Sequence, residues 1–484
     1  MVHVHLIGIG GSGLSAVARI LLESGYEVSG SDRLLSPLVE RLRRDGVRVS
    51  IGHDPQNIVG ADMVVRSSAI PDDNEEVRAA QARGIPVLKR ADFLGKVMEN
   101  HRGIAVAGTH GKTTTTAMIA WILVAMGRDP SYIIGGIPRN LDTNAHYGQG
   151  QDFVIEADEY DRMFLGLHPE IAVVTTIEHD HPDCFPTVAD FRQAFQDFAS
   201  LLPAGGVLVA CADDPGALDL LQVMRGRGLD TLSYGSGKNP GIPVDYIAGD
   251  PQLNGSGGMS FDILKAGRRL TRVSLQVPGR HNMLNALAAV AVACTLGLSV
   301  EGTAKALEGF QGTGRRFDLR GEAGGVAVID DYAHHPTEIR ATLAAAHDRY
   351  PGRKIWAVWQ PHTYTRTRLL FEGFKNAFEE ADHVVVTEVY AARETPPGDF
   401  SARQIVQAMA HPDAIFAANL EDALKQLIDR VQPGDVVLVL SAGDADQVSA
   451  QLLSALQGRG PGGVSGGVSG GSSDILQDGP YLVR

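Results

Sequence analysis

The segment at residues 108–113 has the residue types that bind the phosphates of a nucleotide. It reads Gly-Thr-His-Gly-Lys-Thr and lies between an apolar run at 103–107 and a helical pattern that begins at residue 117. Glycines let backbone N–H groups converge on an anion, and the start of a helix adds its dipole. The Lys112 ammonium suits phosphate oxygens, and the Thr113 hydroxyl can bind Mg²⁺. The motif is shorter than a full Walker A loop, and it predicts nucleotide contacts at Gly108, Thr109, His110, Gly111, Lys112, Thr113 and Thr114.

A second glycine-rich loop lies near the start of the chain. Residues 8–13 read Gly-Ile-Gly-Gly-Ser-Gly, after a strand-like run at 2–7 and before a helical pattern at 14–24. Asp32 ends the next strand-like run about 20 residues later, where dinucleotide-binding folds place an acidic side chain that contacts a ribose hydroxyl. This pattern alone favours an NAD(P) dehydrogenase. Any nucleotide diphosphate satisfies the same backbone donors, however, so a UDP-sugar fits as well as NAD.

Two acidic segments follow predicted strands close to the first of these loops. Residues 156–161 read Glu-Ala-Asp-Glu-Tyr-Asp, and residues 178–181 read Glu-His-Asp-His. Ligands of open α/β sheets gather at the carboxyl ends of the strands. Carboxylate, imidazole and threonine hydroxyl groups suit Mg²⁺ or Mn²⁺ held partly by ATP phosphates. The His-x-His pair leaves zinc as an alternative.

Two pairs of polar residues further along have side chains that suit a nucleotide. Asn282 and Asn285 are three residues apart at the start of a predicted helix and therefore share a face. Their amides can pair with a donor and an acceptor on an adenine edge, although Asn282 also suits a helix N-cap. Arg315 and Arg316 place two guanidinium groups at a predicted domain hinge, where they suit a triphosphate or a carboxylate.

Two further polar loops follow predicted strands in the last third of the chain. Residues 330–338 read Asp-Asp-Tyr-Ala-His-His-Pro-Thr-Glu, and residues 360–368 read Gln-Pro-His-Thr-Tyr-Thr-Arg-Thr-Arg. Because both follow strands of one open sheet, we expect them to face the same crevice. Each loop alone is compatible with helix capping. Together they indicate a site for a small zwitterion and a carboxylate.

The composition is that of a soluble α/β enzyme. The chain has 484 residues, a net charge of −14, 44% hydrophobic residues and 21% charged residues, which argues against a nucleic-acid-binding protein. Its three cysteines have neither metal-type spacing nor a disulfide framework, so a reducing cytosol is expected. We find no signal peptide and no apolar run long enough to span a bilayer, and we therefore predict a cytoplasmic protein without membrane insertion.

The alternation of strand and helix patterns predicts three open, mostly parallel α/β domains. Residues 1–100 form a Rossmann-like domain, 101–321 a central P-loop domain that binds ATP, and 322–457 a second Rossmann-like domain. A hairpin near residues 254–261 extends the central sheet. Residues 458–484 are mostly glycine, serine and valine at first and are predicted to form a flexible tail.

A set of short segments in a fixed order resembles the Mur ligase family. The segments are GIGGSG…SGSD, SSAI, GTHGKTTTT, EADE, HDH, GRHNMLN, GRRF, DDYAHHPTE and QPHTYTRTR. They fall in all three predicted domains, and the resemblance covers about residues 1–457.

The resemblance implies a role for individual residues in these segments. The UDP-sugar would lie around Gly8, Gly10, Gly11, Ser12, Gly13, Asp32, Ser67 and Ser68. ATP would contact residues 108–114, with the adenine at Asn282 and Asn285 and the hinge arginines Arg315 and Arg316 nearby. The ligands of Mg²⁺, or of Mn²⁺ in its place, would be Thr113, Glu156 and His181. The amino-acid side would comprise Tyr332, His335, His362 and Arg366. The catalytic residues would be Lys112, His181, His334, His335 and Arg366.

The resemblance also implies the reaction and its small-molecule partners. These are UDP-N-acetylmuramate, ATP and L-alanine, joined through an acyl-phosphate intermediate in the synthesis of a peptidoglycan precursor. A sibling activity that attaches a peptide or another amino acid is the alternative, because Tyr160, Thr363 and Arg393 replace residues that are usual in the alanine-adding enzymes. A nucleotide-sugar sensor without turnover and a dehydrogenase are the alternatives from other functional classes.

Overall fold

The computed structural model describes residues 1–238 and 243–458 of the chain. It divides into two compact units, of which the first spans Met1–Gly314 and the second begins at Arg315. The first unit contains two β-sheets and the second contains one. No helix within the described ranges is long and apolar enough to cross a lipid bilayer. The predicted tail, apart from residue 458, lies outside the described residues.

The first sheet has five parallel strands in the order β3-β2-β1-β4-β5. Its strands are β1 (His3–Ile7), β2 (Glu27–Asp32), β3 (Arg48–Ile51), β4 (Met63–Arg66) and β5 (Val87–Lys89). Its helices are α1 (Ser12–Glu23), α2 (Pro37–Arg44), α3 (Glu75–Ala82) and α4 (Arg90–Met98). The central strand β1 is buried along its whole length, as is usual for a parallel strand covered on both faces. The glycine-rich loop at 8–13 therefore opens at the carboxyl edge of this sheet, beside the loops that follow β2 and β4.

The second sheet has ten strands in the order β15-β14-β13-β12-β11-β10-β6-β9-β7-β8. Its strands are β6 (Arg102–Ala107), β7 (Ser131–Ile133), β8 (Ala145–His146), β9 (Asp152–Glu156), β10 (Ile171–Val174), β11 (Val207–Cys211), β12 (Asp230–Gly235), β13 (Tyr246–Leu253), β14 (Met259–Lys265) and β15 (Arg268–Ser274). The helices are α5 (Lys112–Ala125), α6 (Val188–Ala199), α7 (Pro215–Gly226), α8 (Arg280–Thr295) and α9 (Val300–Glu308), with a 3₁₀ segment at Tyr160–Gly166. The predicted hairpin is confirmed, and a third antiparallel strand, β15, follows it.

The order of the strands brings the predicted phosphate and metal segments together. Strand β6 pairs in parallel with β9 on one side and with β10 on the other. The loop at 108–113 follows β6, the acidic segment at 156–161 follows β9, and the segment at 178–181 lies in the connection that follows β10. All three therefore lie at the same edge of the sheet.

The sheet of the second unit has six strands in the order β16-β17-β21-β18-β19-β20. Its strands are β16 (Asp318–Ala323), β17 (Val326–Asp331), β18 (Ile355–Gln360), β19 (His383–Thr387), β20 (Ala414–Ala417) and β21 (Val436–Ser441). Its helices are α10 (Pro336–Arg349), α11 (Tyr364–Leu369), α12 (Phe371–Lys375), α13 (Arg403–Ala408), α14 (Leu420–Arg430) and α15 (Asp446–Gln457). Among the described strands of this sheet, β16 and β17 pair antiparallel and the other neighbours pair in parallel.

These three sheets confirm the predicted fold class of open, mostly parallel α/β architecture. The Rossmann-like pattern predicted after residue 322 corresponds to the strands β17 to β21, and the sequence did not indicate β16. The predicted boundary after residue 321 falls inside β16, whereas the second compact unit begins at Arg315. The predicted boundary after residue 100 falls inside the first compact unit. The domain limits stay predictions.

A buried carboxylate fastens α3 to the sheet beneath the loop at 8–13. The Glu76 side chain is fully buried and accepts hydrogen bonds from the Ser31 hydroxyl at 2.6 Å and the Asn57 amide at 2.5 Å. The carboxylate also accepts the N–H of Asp54 at 3.2 Å, and the rings of His53 and the buried His5 lie 3.4 and 3.6 Å away. Burial alone would raise the pKa of Glu76, but the nearby His5 ring and the hydrogen bonds from Ser31 and Asn57 lower it to about 2. The carbonyl of Ser31 accepts the N–H of Gly8, so this network sets the position of the glycine-rich loop.

We expect Glu76→Gln to destabilise the first unit at neutral pH. The folded-state pKa of Glu76 is about 2 and its ordinary value is 4.5. The ionised group therefore contributes stability above about pH 4.5, and this contribution is lost as the pH falls towards 2. The shift corresponds to about 3 kcal/mol. Urea unfolding of the wild type and the variant at pH 7 and pH 3 measures it, with Glu75→Gln, an exposed neighbour on the same helix, as the control. Equal stability of Glu76→Gln and the wild type at pH 7 would contradict the account.

Candidate active site

The loop at 108–113 has a backbone that favours glycine at two positions. Gly108 has φ 133° and Gly111 has φ 81°, and a Cβ on Gly108 would lie 2.1 Å from the Thr175 hydroxyl. The loop is tied to the connection that follows β10, because the Thr109 hydroxyl donates to the Glu178 carbonyl at 2.8 Å and His110 Nε2 lies 2.9 Å from the Glu178 carboxylate. Helix α5 begins directly after Gly111 with no side-chain cap. Its first N–H groups are therefore available to an anion.

The Lys112 ammonium lies across the loop and pairs with a buried carboxylate. Its Nζ donates to the Gly108 carbonyl at 2.6 Å and to the Glu159 carboxylate at 3.0 Å. Glu159 is 1% exposed. Burial alone would lower the pKa of Lys112, but Glu159 and Asp158 raise it. Burial raises the pKa of Glu159, and Lys112 opposes that change. The positive charge of Lys112 is therefore held in place by Glu159 where phosphate oxygens are predicted to bind.

Two of the three predicted metal ligands are in direct contact. The Thr113 hydroxyl donates to Glu156 Oε1 at 3.0 Å, and the N–H of Gly135 donates to Glu156 Oε2 at 2.6 Å. A Cβ on Gly135 would lie 2.5 Å from that oxygen, so Gly135 leaves room for the carboxylate. His181 Nε2 lies 3.7 Å from both Glu159 and Asp180. A hydroxyl, carboxylates and an imidazole make a donor set that fits Mg²⁺ bound together with phosphates.

The two asparagines predicted to contact adenine lie at the start of α8, beside the loop at 108–113. Both side chains are buried. A Cβ on Gly111 would lie 2.6 Å from Asn285 Oδ1, which places that amide next to the loop. The Asn285 amide donates to Asn282 Oδ1 at 3.1 Å, and the Asn282 amide donates to the Pro278 carbonyl at 2.7 Å. Their predicted common face is confirmed, and their contact with adenine stays a prediction.

The loop at 8–13 brings together residues from three strand ends. The N–H of Gly10 donates to Asp32 Oδ2 at 2.8 Å, and a Cβ on Gly10 would lie 2.9 Å from the same oxygen. A Cβ on Gly8 would lie 3.2 Å from the Ser67 side chain. Ser12 begins α1, whose first turn has neither a side-chain cap nor an acidic residue. These contacts gather the loop, Asp32 and Ser67 around one helix start, next to the exposed Ser68.

In the second unit, Asp331 and Tyr332 organise the arginine pair. Asp331 is buried and accepts the N–H groups of Phe317 at 2.7 Å and Ala333 at 2.8 Å. Burial raises the pKa of Asp331 to about 6. The guanidinium groups of Arg315 and Arg316 each lie 5.1 Å from the centre of the Tyr332 ring. The guanidinium groups of both arginines therefore pack against Tyr332, in the loop that follows β17.

The two histidine-rich loops of the second unit meet, as the sequence predicted. The rings of His334 and His362 are 6.2 Å apart, and the Arg366 guanidinium lies 3.2 Å from His362 Nδ1. His335 differs from its neighbours because it is the N-cap of α10, is 2% exposed and accepts the Thr337 N–H on Nδ1 at 3.3 Å. This contact matches the helix-capping alternative that the sequence left open for the loop at 330–338, and a catalytic role for His335 stays a prediction.

Three family models match successive parts of the chain. Residues 3–102 match the Mur ligase family catalytic domain, residues 106–293 the Mur ligase middle domain, and residues 315–443 the Mur ligase glutamate ligase domain. A UDP-N-acetylmuramate–L-alanine ligase of Roseiflexus sp. strain RS-1 is 42% identical over 470 residues, which is 94% of this chain and 99% of that protein. The chain belongs to the Mur ligase family. The same enzyme of Acidobacterium capsulatum is 43% identical to this Mur ligase, over 95% of the chain and 98% of the relative.

Solved structures of the family resemble this Mur ligase over nearly its whole length. A UDP-N-acetylmuramate–alanine ligase of Thermotoga maritima has a TM-score of 0.79 and 29% identity, and the match covers 95% of this chain and all of that one. A murein peptide ligase of Psychrobacter arcticus has a TM-score of 0.68 and 26% identity, over 94% of this chain and 99% of that one.

Glu159 is the residue of the site that sequence reasoning did not select. The acidic segment at 156–161 was the available signal, but it did not separate Glu159 from its neighbours. The segment bends sharply after Glu159, because Asp161 and Arg162 adopt the left-handed conformation with φ 54° and 53°. Glu159 itself is buried against Lys112 and His181. A contact of this kind depends on the folded path of the segment.

We expect Lys112→Met to destabilise this Mur ligase by about 3–5 kcal/mol, because it leaves the buried Glu159 carboxylate without its cation. Combining it with Glu159→Gln should restore most of that stability, because the remaining polar group is neutral. Neither Lys112→Met nor the double variant should bind ATP with normal affinity. Urea unfolding of the two single variants and the double variant gives the coupling, and ATP titration gives the affinity. A double variant no more stable than Lys112→Met would contradict the pairing.

Proposed function

We propose that this Mur ligase joins L-alanine to the carboxylate of UDP-N-acetylmuramate, with ATP as the source of the phosphoryl group. One observation carries the proposal: a single compact unit holds two separate phosphate-type loops, one after β1 and one after β6. A dehydrogenase needs one dinucleotide loop, whereas a ligase must bind a nucleotide sugar and ATP at the same time. The names of relatives that are 40–43% identical over 93–95% of the chain support these substrates.

The chemistry of the site fits activation of a carboxylate. A carboxylate is a poor acyl donor, and transfer of the ATP γ-phosphoryl group turns it into an acyl phosphate with a good leaving group. Lys112 stabilises the charge that develops on the phosphoryl oxygens. Thr113, Glu156 and His181 would hold Mg²⁺, which would supply a second positive charge for those oxygens. Phosphoryl transfer of this type is promoted mainly by positioning and by electrostatic stabilisation.

The cluster in the second unit suits the amino acid that attacks the acyl group. The Arg366 guanidinium can pair with the carboxylate of the amino acid. The amine must lose a proton before it attacks, and the imidazoles of His334 and His362 are candidate bases. Tyr332 lies 5.4 Å from the His334 ring, in the same cluster. His335 stays a predicted member of this side of the site. A cytoplasmic location stays a prediction as well.

The acceptor is L-alanine in this proposal, and a peptide is the alternative. The solved alanine ligase has the higher TM-score, 0.79 against 0.68 for the murein peptide ligase. Release of phosphate with UDP-N-acetylmuramate, ATP and one acceptor at a time tests the choice. We expect L-alanine to give the highest kcat/KM, with glycine and L-serine slower, because loss of a methyl contact costs about 1–3 kcal/mol and larger side chains clash. A tripeptide that exceeds L-alanine in kcat/KM would establish the alternative activity.

Substitution of Arg366 tests the place of the amino acid. We expect Arg366→Ala to raise the KM for L-alanine at least tenfold and to change the KM for ATP much less, since a charge-assisted hydrogen bond contributes about 1.5–3 kcal/mol. Steady-state kinetics with each substrate varied in turn gives both values. The exposed Arg368 on the same helix provides the control, as Arg368→Ala, which should leave the KM for L-alanine near normal. An effect of Arg366→Ala confined to ATP would contradict this assignment.

A further inference from the structure

Gly13 occupies a position where the backbone does not require glycine. It is the second residue of α1 and, unlike Gly8, does not have a positive φ. Glycine weakens a helix relative to alanine, so its presence needs another reason. A Cβ on Gly13 would lie 1.5 Å from Nη1 of Arg90 and 2.7 Å from its Cζ. The space that a side chain would fill is therefore taken by the Arg90 guanidinium, which lies against the first turn of α1.

The Arg90 guanidinium has few partners for a group with five N–H donors. Arg90 begins α4, directly after β5, and its Nη2 lies 2.6 Å from Met163 Sδ, a weak acceptor. Its Nε is buried without a hydrogen-bond partner. In residues 1–238 and 243–458 no carboxylate lies within ion-pair distance of Arg90, and Asp158 and Asp161 act on it only from further away. Its charge is therefore not compensated by direct contact.

The end of α1 that faces this guanidinium is itself positive. No acidic residue and no side-chain cap is present in the first turn of α1, so its N–H groups and the helix dipole add to the charge of Arg90. An arginine fork matches the oxygens of a phosphate group in two parallel hydrogen bonds. The glycine-rich loop, Asp32 and Ser67 surround the same helix start. An anionic ligand would supply the counter-charge that is missing at this point.

We propose that Arg90 binds the diphosphate of the nucleotide sugar against the first turn of α1, and that Gly13 is needed to admit its guanidinium. The inference rests on the proposed function, which supplies a nucleotide diphosphate as the ligand. The diphosphate is the fitting anion because it lies next to the ribose, whose hydroxyl is predicted to contact Asp32. Arg90 also contacts Met163 in the 3₁₀ segment that follows Glu159. It therefore contacts both the nucleotide-sugar loop and the segment that carries the Lys112 partner.

Binding of three probes separates the possible roles of Arg90. The probes are UDP-N-acetylmuramate, UDP and UMP, titrated by calorimetry into the wild type, Arg90→Met, Arg90→Lys and Gly13→Ala. We expect Arg90→Met to weaken binding of the first two probes by about 10- to 100-fold and binding of UMP by less. Arg90→Lys should recover part of the loss, because it keeps the charge but not the fork. Gly13→Ala should weaken UDP binding while Arg90 is still present, because it displaces the guanidinium.

Controls and contrary results are distinguishable in the same experiment. Arg78→Met removes an exposed charge from α3 of the same sheet and should leave all affinities unchanged. Thermal unfolding shows that each variant is folded, and alanine at position 13 favours the helix. Unchanged UDP affinity in Arg90→Met would overturn the inference. This includes the case in which only the affinity for UDP-N-acetylmuramate falls, because Arg90 would then bind the sugar or its carboxylate and not the diphosphate. A wild type that binds neither UDP nor UDP-N-acetylmuramate would overturn the proposed function itself.

Discussion

The buried ion pair between Lys112 and Glu159 is the interaction on which the predicted phosphate-binding end of the first unit depends. The ammonium lies over a loop whose carbonyl and N–H groups are fixed by two left-handed glycines, at the uncapped start of α5. Without a negative partner, this concentration of positive charge in a buried site would be costly. Glu159 supplies that partner in the structure. In the proposed function, the phosphates of ATP would take over this role and replace Glu159 as the anion at Lys112.

Both phosphate loops have the same construction but differ in how their charge is balanced. Each follows a buried central strand and leads into a helix that has no side-chain cap. At the loop after β6, Glu159 and Glu156 lie within hydrogen-bond distance of Lys112 and Thr113. At the loop after β1, the nearby cation is Arg90, and no carboxylate in the described part of the chain pairs with it. The arrangement at the loop after β6 suits a phosphoryl group that is transferred during the reaction. The arrangement at the loop after β1 suits a diphosphate that stays bound and orients the sugar.

The part of the fold that could be predicted from the sequence is the part in which strands and helices have a clear periodic pattern of apolar residues. Long apolar strands such as β6 and the parallel strands of the second unit can be recognised from their local runs of apolar residues. Lys112, Glu156 and His362 lie near the carboxyl ends of such strands, so the edge of the sheet at which they lie was predictable. The two-residue strand β8 and the polar strand β16 have no such pattern, because pairing with a neighbour alone makes them strands.

The parts of the site that escaped prediction depend on contacts between distant segments. From the sequence, Glu159 could not be distinguished from its acidic neighbours. In the structure the chain bends at Asp161, and Glu159 pairs with Lys112. Arg90 lies in a segment without any motif, and only the absence of a side chain at Gly13 reveals its place. A sequence pattern shows residue types at fixed spacing. It does not show that the side chain of a distant residue, here Arg90, fills the space beside a glycine, here Gly13.

Oxygen-isotope transfer tests the central claim of carboxylate activation most directly. UDP-N-acetylmuramate labelled with ¹⁸O in its carboxylate would be turned over with ATP and L-alanine, and the inorganic phosphate analysed by mass spectrometry. If a carboxylate oxygen attacks the γ-phosphorus, that oxygen remains on phosphate when the amine displaces it from the acyl carbon. The account therefore predicts one ¹⁸O atom in each phosphate released from fully labelled substrate. Phosphate that contains no ¹⁸O, with product formed at the normal rate, would contradict it.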